Sequence, residues 1–516
     1  MKEKLTAFLT KYGYIVYSVV FVILYAAILM HEAYFQDFYI SHDSANYLRE
    51  ANALRSGYGF NVDGAAGGYK HFAAWPVGYP ALIALTSAVF HISDLYLASK
   101  VLSILAVALV IAIAAVRWKE RVVLCSLFFF NPGVFQLFLY TWSESVFSVL
   151  LFCFCVCAYD SIRKPEKVMP YVLMFVTSFT AFTVRYFGAV CVVFAGMIFA
   201  LRLYRLVFRK EKNVKKSFIL SFATCMVSGI SVLLYLEYNK KMCGYGTGIA
   251  REEFNESYSV LLKQLVRALG TEFKNLFFLS DTIPFQYLGG AVGTMCLLAI
   301  TVLAMIFAVK KKRWEALVLL SFAVLYDAMF IVIRFFSTMD IFYYRFFAPV
   351  AGIYFTGLVL LTNDMAWEKI RQKKAVAYIP ALAAVFMLLS TGNLAVQHLS
   401  VYQTSKYEEE KAAWLAKFEN VPANSLYLYA QEDPEYLMLY FRPDVAFFPK
   451  TDSCYDSYET EENQTMEELC KAYPAYGYFC IAGDRLDEVA SAEVADAFRR
   501  VAGDGEILCI PAGYSD

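Results

Sequence analysis

Long apolar segments recur through this chain, and they limit its fold more than any other feature. One runs from the N-terminal lysines to about Met30, and others lie near 95–116, 121–140, 143–159, 169–184, 187–204, 217–238, 286–309, 315–335, 344–361 and 375–393. Most are about 17–24 residues, enough for a helix to cross roughly 30 Å of hydrocarbon with its backbone satisfied internally. At 59% hydrophobic residues the chain lies well above soluble domains, which sit at about 45–50%. The expected fold is an α-helical polytopic membrane protein of about eleven transmembrane helices.

Charge sets the sidedness. RWKER (117–121), SIRKPEK (161–167), RLYRLVFRKEKNVKK (202–216), KKKR (310–313) and WEKIRQKK (367–374) fall on the N-terminal side when eleven spans are counted. The positive-inside rule makes that side cytoplasmic. Pro76–His91 is also apolar, but counting it as a span would put every cluster outside, so an interfacial or re-entrant helix is expected there. The first segment is too long, and lacks a clear small-residue cleavage site, for a signal peptide; an uncleaved span is expected. The loops 31–94 and 239–285 and the tail then lie outside.

Two domains are expected: residues 1–398 as the transmembrane domain and 399–516 as a small extracytoplasmic α/β domain. In the tail, SKYEEEKAAWLAKFEN, TMEELCKAY and SAEVADAFRRVA read as helices, and NSLYLYA, DVAFFP and YGYFCIAG as strands. Loop 239–285 carries an amphipathic helical pattern, SYSVLLKQLVRALGTEFKNLFFL. Seven of the 12 Cys lie in apolar runs and read as small apolar residues; Cys454, Cys470, Cys480 and Cys509 lie in the tail, where one or two disulfides fit an oxidising compartment. Sequons occur at Asn255 and Asn463. A formal net charge of zero gives no reason to expect nucleic acid.

The candidate chemistry gathers at outer ends of spans. Asp43, in HDSANYLREANAL, reads either as a helix N-cap or as a general base that takes a proton from an acceptor hydroxyl. Glu144, in YTWSESVF, reads as an acid favoured by a helix dipole or as a site carboxylate at a membrane boundary. Arg185, Arg334 and Arg345 run against the positive-inside bias; they either snorkel or make an anion site with Lys70 and His71. His42, Tyr47 and Tyr186, beside or on the same elements as these groups, complete the substrate-binding candidates. A divalent metal is not favoured, since His31, His42 and His71 show no ligand spacing. The glycines between Gly57 and Gly68 form no phosphate-cradle motif and suit tight turns.

HDSANYLREANALRSGYGF, WPVGYPALIAL, NPGVFQLFLYTWSESVF, TVRYFGA and YYRFFAPV, in this order and sidedness, resemble the GT-C superfamily of integral-membrane glycosyltransferases, the class of protein O-mannosyltransferases and aminoarabinose transferases. The likeness covers roughly residues 10–400, and LYLYAQEDPEYLMLYFRPDVAFFP resembles the C-terminal segment of bacterial members. It implies an inverting transferase that moves a hexose or pentose from a polyprenyl-phosphate donor to a hydroxyl of a glycan, lipid or protein acceptor, on the extracytoplasmic face of the cell membrane. It also implies Asp43 as base, Glu144 as the supporting second-loop acid, and Arg185 and Arg345 near the lipid phosphate. Many members pair two acids in the first loop, where His42 precedes Asp43 here; this departure leaves direct base catalysis intact. The competing expectation is a transporter or flippase, whose best residue is Asp327 in mid-span.

Overall fold

The structure is a computed structural model that describes residues 2–36, 39–64, 68–248, 257–277, 289–337, 342, 344–361, 405–430, 441–442, 444–450, 465–503 and 505–513. The expected last span, 375–393, lies outside the described residues, as do Cys454 and Asn255 and Asn463 of the sequons. The chain is a multi-pass membrane protein: seven described helices are long and apolar enough to cross a bilayer, and three apolar helices are shorter. Two compact units form, one from Met1–His31, Lys100–Tyr235 and Arg251–Ser400, the other from Glu32–Ser99, Leu236–Ala250 and Val401–Asp516.

In chain order the helices and strands before the tail are α1 (Lys2–His31), α2 (His42–Arg55), β1 (Asn61–Gly64), β2 (Gly68–His71), α3 (Gly78–Phe90), α4 (Leu95–Trp118), α5 (Val122–Leu127), α6 (Pro132–Leu139), α7 (Glu144–Arg163), α8 (Val168–Val184), α9 (Ala189–Val207), α10 (Lys215–Cys243), α11 (Tyr258–Leu276), α12 (Ala291–Lys310), α13 (Trp314–Phe336) and α14 (Tyr344–Leu360). The apolar segment 121–140 is not one helix. Pro132 lacks an N–H and keeps the preceding residue out of the helical region, so Asn131 is extended (φ −63°, ψ 127°) and its side chain caps α6. The helical segment Leu95–Phe130 ends just before this break.

Within the first unit, Arg117 of α4 ties three helix ends together. It binds Asp160 of α7 through two nitrogens, at 2.8 and 3.0 Å, and also pairs with Glu315 of α13. Between α8 and α9 the chain turns at Gly188, where a Cβ would stand only 2.4 Å from the backbone of Ala181 and Phe182. Glycine is needed for this close approach, which brings the residues after α8 back over its last turn.

The second unit combines the first long loop with the tail. The loop folds as α2, an antiparallel hairpin β1–β2 and α3. At 13 residues α3 spans about 20 Å, short of a bilayer crossing. The tail adds α15 (Lys406–Lys417), β3 (Ser425–Ala430), β4 (Val445–Lys450), α16 (Met466–Ala472), β5 (Tyr478–Ala482), α17 (Leu486–Val489), α18 (Ala492–Ala502) and β6 (Ile507–Pro511). Its sheet runs β4-β3-β5-β6, with β3 parallel to both neighbours and β6 antiparallel to β5. The expected strands and helices are present, but β6 was not anticipated. Cys480 and Cys509 stand directly opposite in β5 and β6 and form a disulfide.

Loop and tail share contacts within this unit. Tyr407 of α15 stacks on Tyr96 at 4.4 Å and donates to Asp94, while Lys411 pairs with Asp94 at 3.6 Å. Ser405 donates to the carbonyl of Tyr34 at 2.8 Å. Tyr96 and Tyr407 are both fully buried, and this aromatic burial gives a polar, Gly-rich loop apolar surface to pack on.

Candidate active site

The candidate residues divide between the two units. In the second, α2 begins with Ser41 as its cap: the hydroxyl accepts from the Ser44 amide at 3.4 Å. Capping therefore falls to Ser41, and Asp43 occupies the second helical position, in the first turn. Tyr47 lies one turn further on, buried edge-to-face against Tyr79 at 5.0 Å. It supports the α2–α3 packing. His71 shares a hydrogen bond with Asn239 at 3.2 Å and sits edge-on to Tyr238. Lys70 pairs with Val62 in the hairpin, and its side chain lies outside the described residues.

His42 packs 6.0 Å from Trp75. Burial pushes its imidazole below the ordinary 6.5, against the opposing charge of Asp43. A base whose folded pKa is lowered favours folding in its neutral form. That stability is complete above the ordinary value and is lost as pH falls below it. Acidification from about pH 7.5 to 5.5 is thus expected to lower the unfolding temperature of the wild type more than that of His42→Asn. Equal shifts in a thermal melt at the two pH values would exclude the effect.

Glu50, two turns beyond Asp43 on the same helix, is a buried acid that sequence reasoning missed. Neither carboxylate oxygen has a hydrogen-bond partner among the described residues, and burial raises its pKa well above the usual carboxylate range. The helical spacing from Asp43 was legible; the burial was not.

In the first unit the structure brings three candidates into direct contact. Glu144 is 0% exposed and opens α7. Its Oε1 accepts from Arg345 Nε at 2.5 Å, and its Oε2 pairs with Arg185 Nη1 at 2.8 Å. Arg185 also donates to Ser143 Oγ at 3.0 Å, and that hydroxyl donates to Glu144 at 3.4 Å. Ser143 makes no side-chain cap bond; it serves the ion cluster. The Arg345 guanidinium lies 3.8 Å over the Trp142 ring, which stacks on Tyr140 at 4.2 Å. Trp142 was also missed, although an aromatic residue two positions before a boundary acid was a usable signal.

Local sequence accounts for this placement. Arg185 follows the last residue of α8 in extended conformation (φ −149°, ψ 132°), at the turn that Gly188 permits. Arg345 enters from the first turn of α14. Tyr186 packs on Phe182 and Tyr235. Arg334 does not join the cluster: fully buried in α13, it holds its guanidinium 5.8 Å from the Phe342 ring, beside the packed Leu261, Leu265, Phe330 and Phe347.

One carboxylate between two guanidinium groups leaves a net charge of +1. The two arginine side chains remain 21% and 16% exposed. Each guanidinium carries five donors, and Glu144 and Ser143 can take only some of them. Such a clamp is suited to an anion with several oxygens, such as phosphate. Deeper in the unit, Asp327 of α13 has an acidic neighbour in Glu272 of α11. Burial first, and Asp327 second, raise Glu272 well above the usual carboxylate range. Among the described residues no group of three or more His, Cys, Asp or Glu is placed to hold a metal ion.

No protein-family model and no curated protein sequence matches this chain. Solved structures do. The crystal structure of apo ArnT from Cupriavidus metallidurans aligns with a TM-score of 0.56 at 10% identity, covering 96% of this chain and 97% of that one. The same protein bound to undecaprenyl phosphate aligns at 0.55 and 11%, covering 98% and 99%. The apo oligosaccharyltransferase of Archaeoglobus fulgidus aligns at 0.52 and 11%, covering 95% of this chain and 73% of that one. This chain therefore shares the fold of ArnT and of the archaeal oligosaccharyltransferase.

Proposed function

We propose that this protein is an inverting GT-C glycosyltransferase that moves a sugar from a polyprenyl-phosphate donor to an acceptor hydroxyl on the extracytoplasmic face. The observation that carries the reading is the Glu144–Arg185–Arg345 clamp, a phosphate-suited cation cluster at span ends, in a fold also adopted by a protein crystallised with undecaprenyl phosphate. Asp43 takes the proton of the acceptor hydroxyl while its oxygen bonds to the anomeric carbon. The bond from that carbon to the phosphate oxygen breaks, and the polyprenyl phosphate leaves with added negative charge. Arg185 and Arg345 stabilise that charge, and Glu144 fixes their direction. The basic clusters at 117–121, 161–167, 202–216 and 310–313 support the opposite, cytoplasmic side for the other span ends. The Cys480–Cys509 disulfide supports an oxidising compartment for the tail.

The Asp327–Glu272 pair favours a second reading, transport coupled to a buried proton site. Two measurements on the purified full chain in lipid separate the readings. A transferase is expected to bind undecaprenyl phosphate well and undecaprenol poorly, and to release free polyprenyl phosphate from polyprenyl-phosphate sugars in the presence of acceptor glycans. Equal affinity for alcohol and phosphate, or movement of intact donor across the bilayer with no release, overturns the transferase.

A further inference from the structure

Lys100 is a buried cation that the mechanism above leaves unused. It lies in α4, 0% exposed, in a stretch otherwise rich in apolar residues. A lysine is costly to bury unless acceptors surround its ammonium. Two of them come from one short link. Lys100 Nζ donates to the carbonyl of Leu139, the last residue of α6, and to Thr141 Oγ1 at 3.4 Å. The Leu139 carbonyl is among those that a helix C-terminus leaves without an intrahelical partner, and a cation there is also favoured by the helix dipole.

The link that Lys100 grips runs directly into the clamp. Tyr140 stacks on Trp142, Trp142 lies under the Arg345 guanidinium, and Ser143 binds Arg185. Glu144 follows and takes both arginines. Four consecutive residues after Leu139 thus connect the ammonium to every member of the cluster. We infer that Lys100 is a positioning residue: by holding the Leu139–Ser143 link, it sets the direction in which Glu144, Arg185 and Arg345 present their charges. The inference rests on the transferase reading only for what the clamp binds.

The test uses the full chain in lipid nanodiscs. Lys100→Met keeps length and apolar stem but removes the donors; Thr141→Val removes one acceptor; Lys100→Arg restores a cation. Amide hydrogen exchange of the peptide covering 139–147 is expected to quicken in Lys100→Met, while peptides of α9 and of the tail stay unchanged. Affinity for undecaprenyl phosphate is expected to fall about ten-fold or more, the size of one lost charged hydrogen bond. Thr141→Val should move both readouts less, in the same direction, and Lys100→Arg should recover part of each. In combination with Glu144→Gln, Lys100→Met should cost little further affinity, because both act on one cluster.

Unchanged exchange at 139–147 in a folded Lys100→Met protein overturns the inference. So does faster exchange with wild-type lipid affinity, which would make Lys100 a packing residue only. If Lys100→Met does not fold, wild-type exchange and affinity in Thr141→Val overturn it instead. A wild-type protein with no affinity for undecaprenyl phosphate removes the transferase reading, and the exchange data still decide whether Lys100 holds the link.

Discussion

Asp43→Asn is expected to yield a protein that inserts, melts and binds undecaprenyl phosphate like the wild type, yet transfers sugar about 10²–10⁴-fold more slowly, the usual loss when a general base is removed. The amide keeps the shape and most of the hydrogen bonding of the carboxylate but cannot hold the acceptor proton. The helix keeps its start, because the cap bond comes from Ser41. A folding defect is therefore not the expected cause of lost activity. Single-turnover transfer with lipid-linked donor, measured beside lipid affinity, separates the effects. Near-wild-type transfer removes Asp43 as base, and a loss of affinity as large as the loss of rate makes it a binding residue.

Glu144→Ala is expected to have the largest effect on stability. The carboxylate is buried between two arginines, and its removal leaves the guanidinium groups of Arg185 and Arg345 facing each other. Breaking a buried pair from one side costs about 3–5 kcal/mol. The partial exposure of the arginines places the expected value toward the lower end. Arg345→Ala is expected to be destabilising as well, since it leaves Glu144 with Arg185 alone and uncovers the Trp142 face. The double variant should lose clearly less than the sum of the two single losses, because each single change strands the other charge. Undecaprenyl phosphate affinity should fall in all three, as orientation is lost in one case and a phosphate donor in the others. Additive losses in the thermal melts would mean that the two residues do not act as a pair.

These expectations draw on different layers of the chain. Most of the apolar helices and the helices and strands of the tail followed from local patterns, because a bilayer crossing and a sheet strand each impose a period on consecutive residues. The break at Asn131–Pro132 was also written locally, although it lay inside an apolar run that hid it. The sixth residue of α4, Lys100, and the buried Glu50 were invisible as site residues, since nothing in their neighbours reveals burial. The hairpin β1–β2 and the strand β6 were missed as short segments whose pairing partners had to be known first.

By itself the sequence determined that the chain spans a membrane many times and collects acids and arginines at the ends of those spans. Arg185, Arg334 and Arg345 looked alike at that level, each following apolar residues at a span end. Only the tertiary structure told them apart: Arg185 and Arg345 meet Glu144, whereas Arg334 is held beside Phe342. Glu144 and Arg345 are 201 positions apart, and which helix faces which depends on packing among several helices. Hydropathy reports the depth of a residue in its own segment, while pairing depends on the neighbour that segment acquires, and no local pattern encodes that choice.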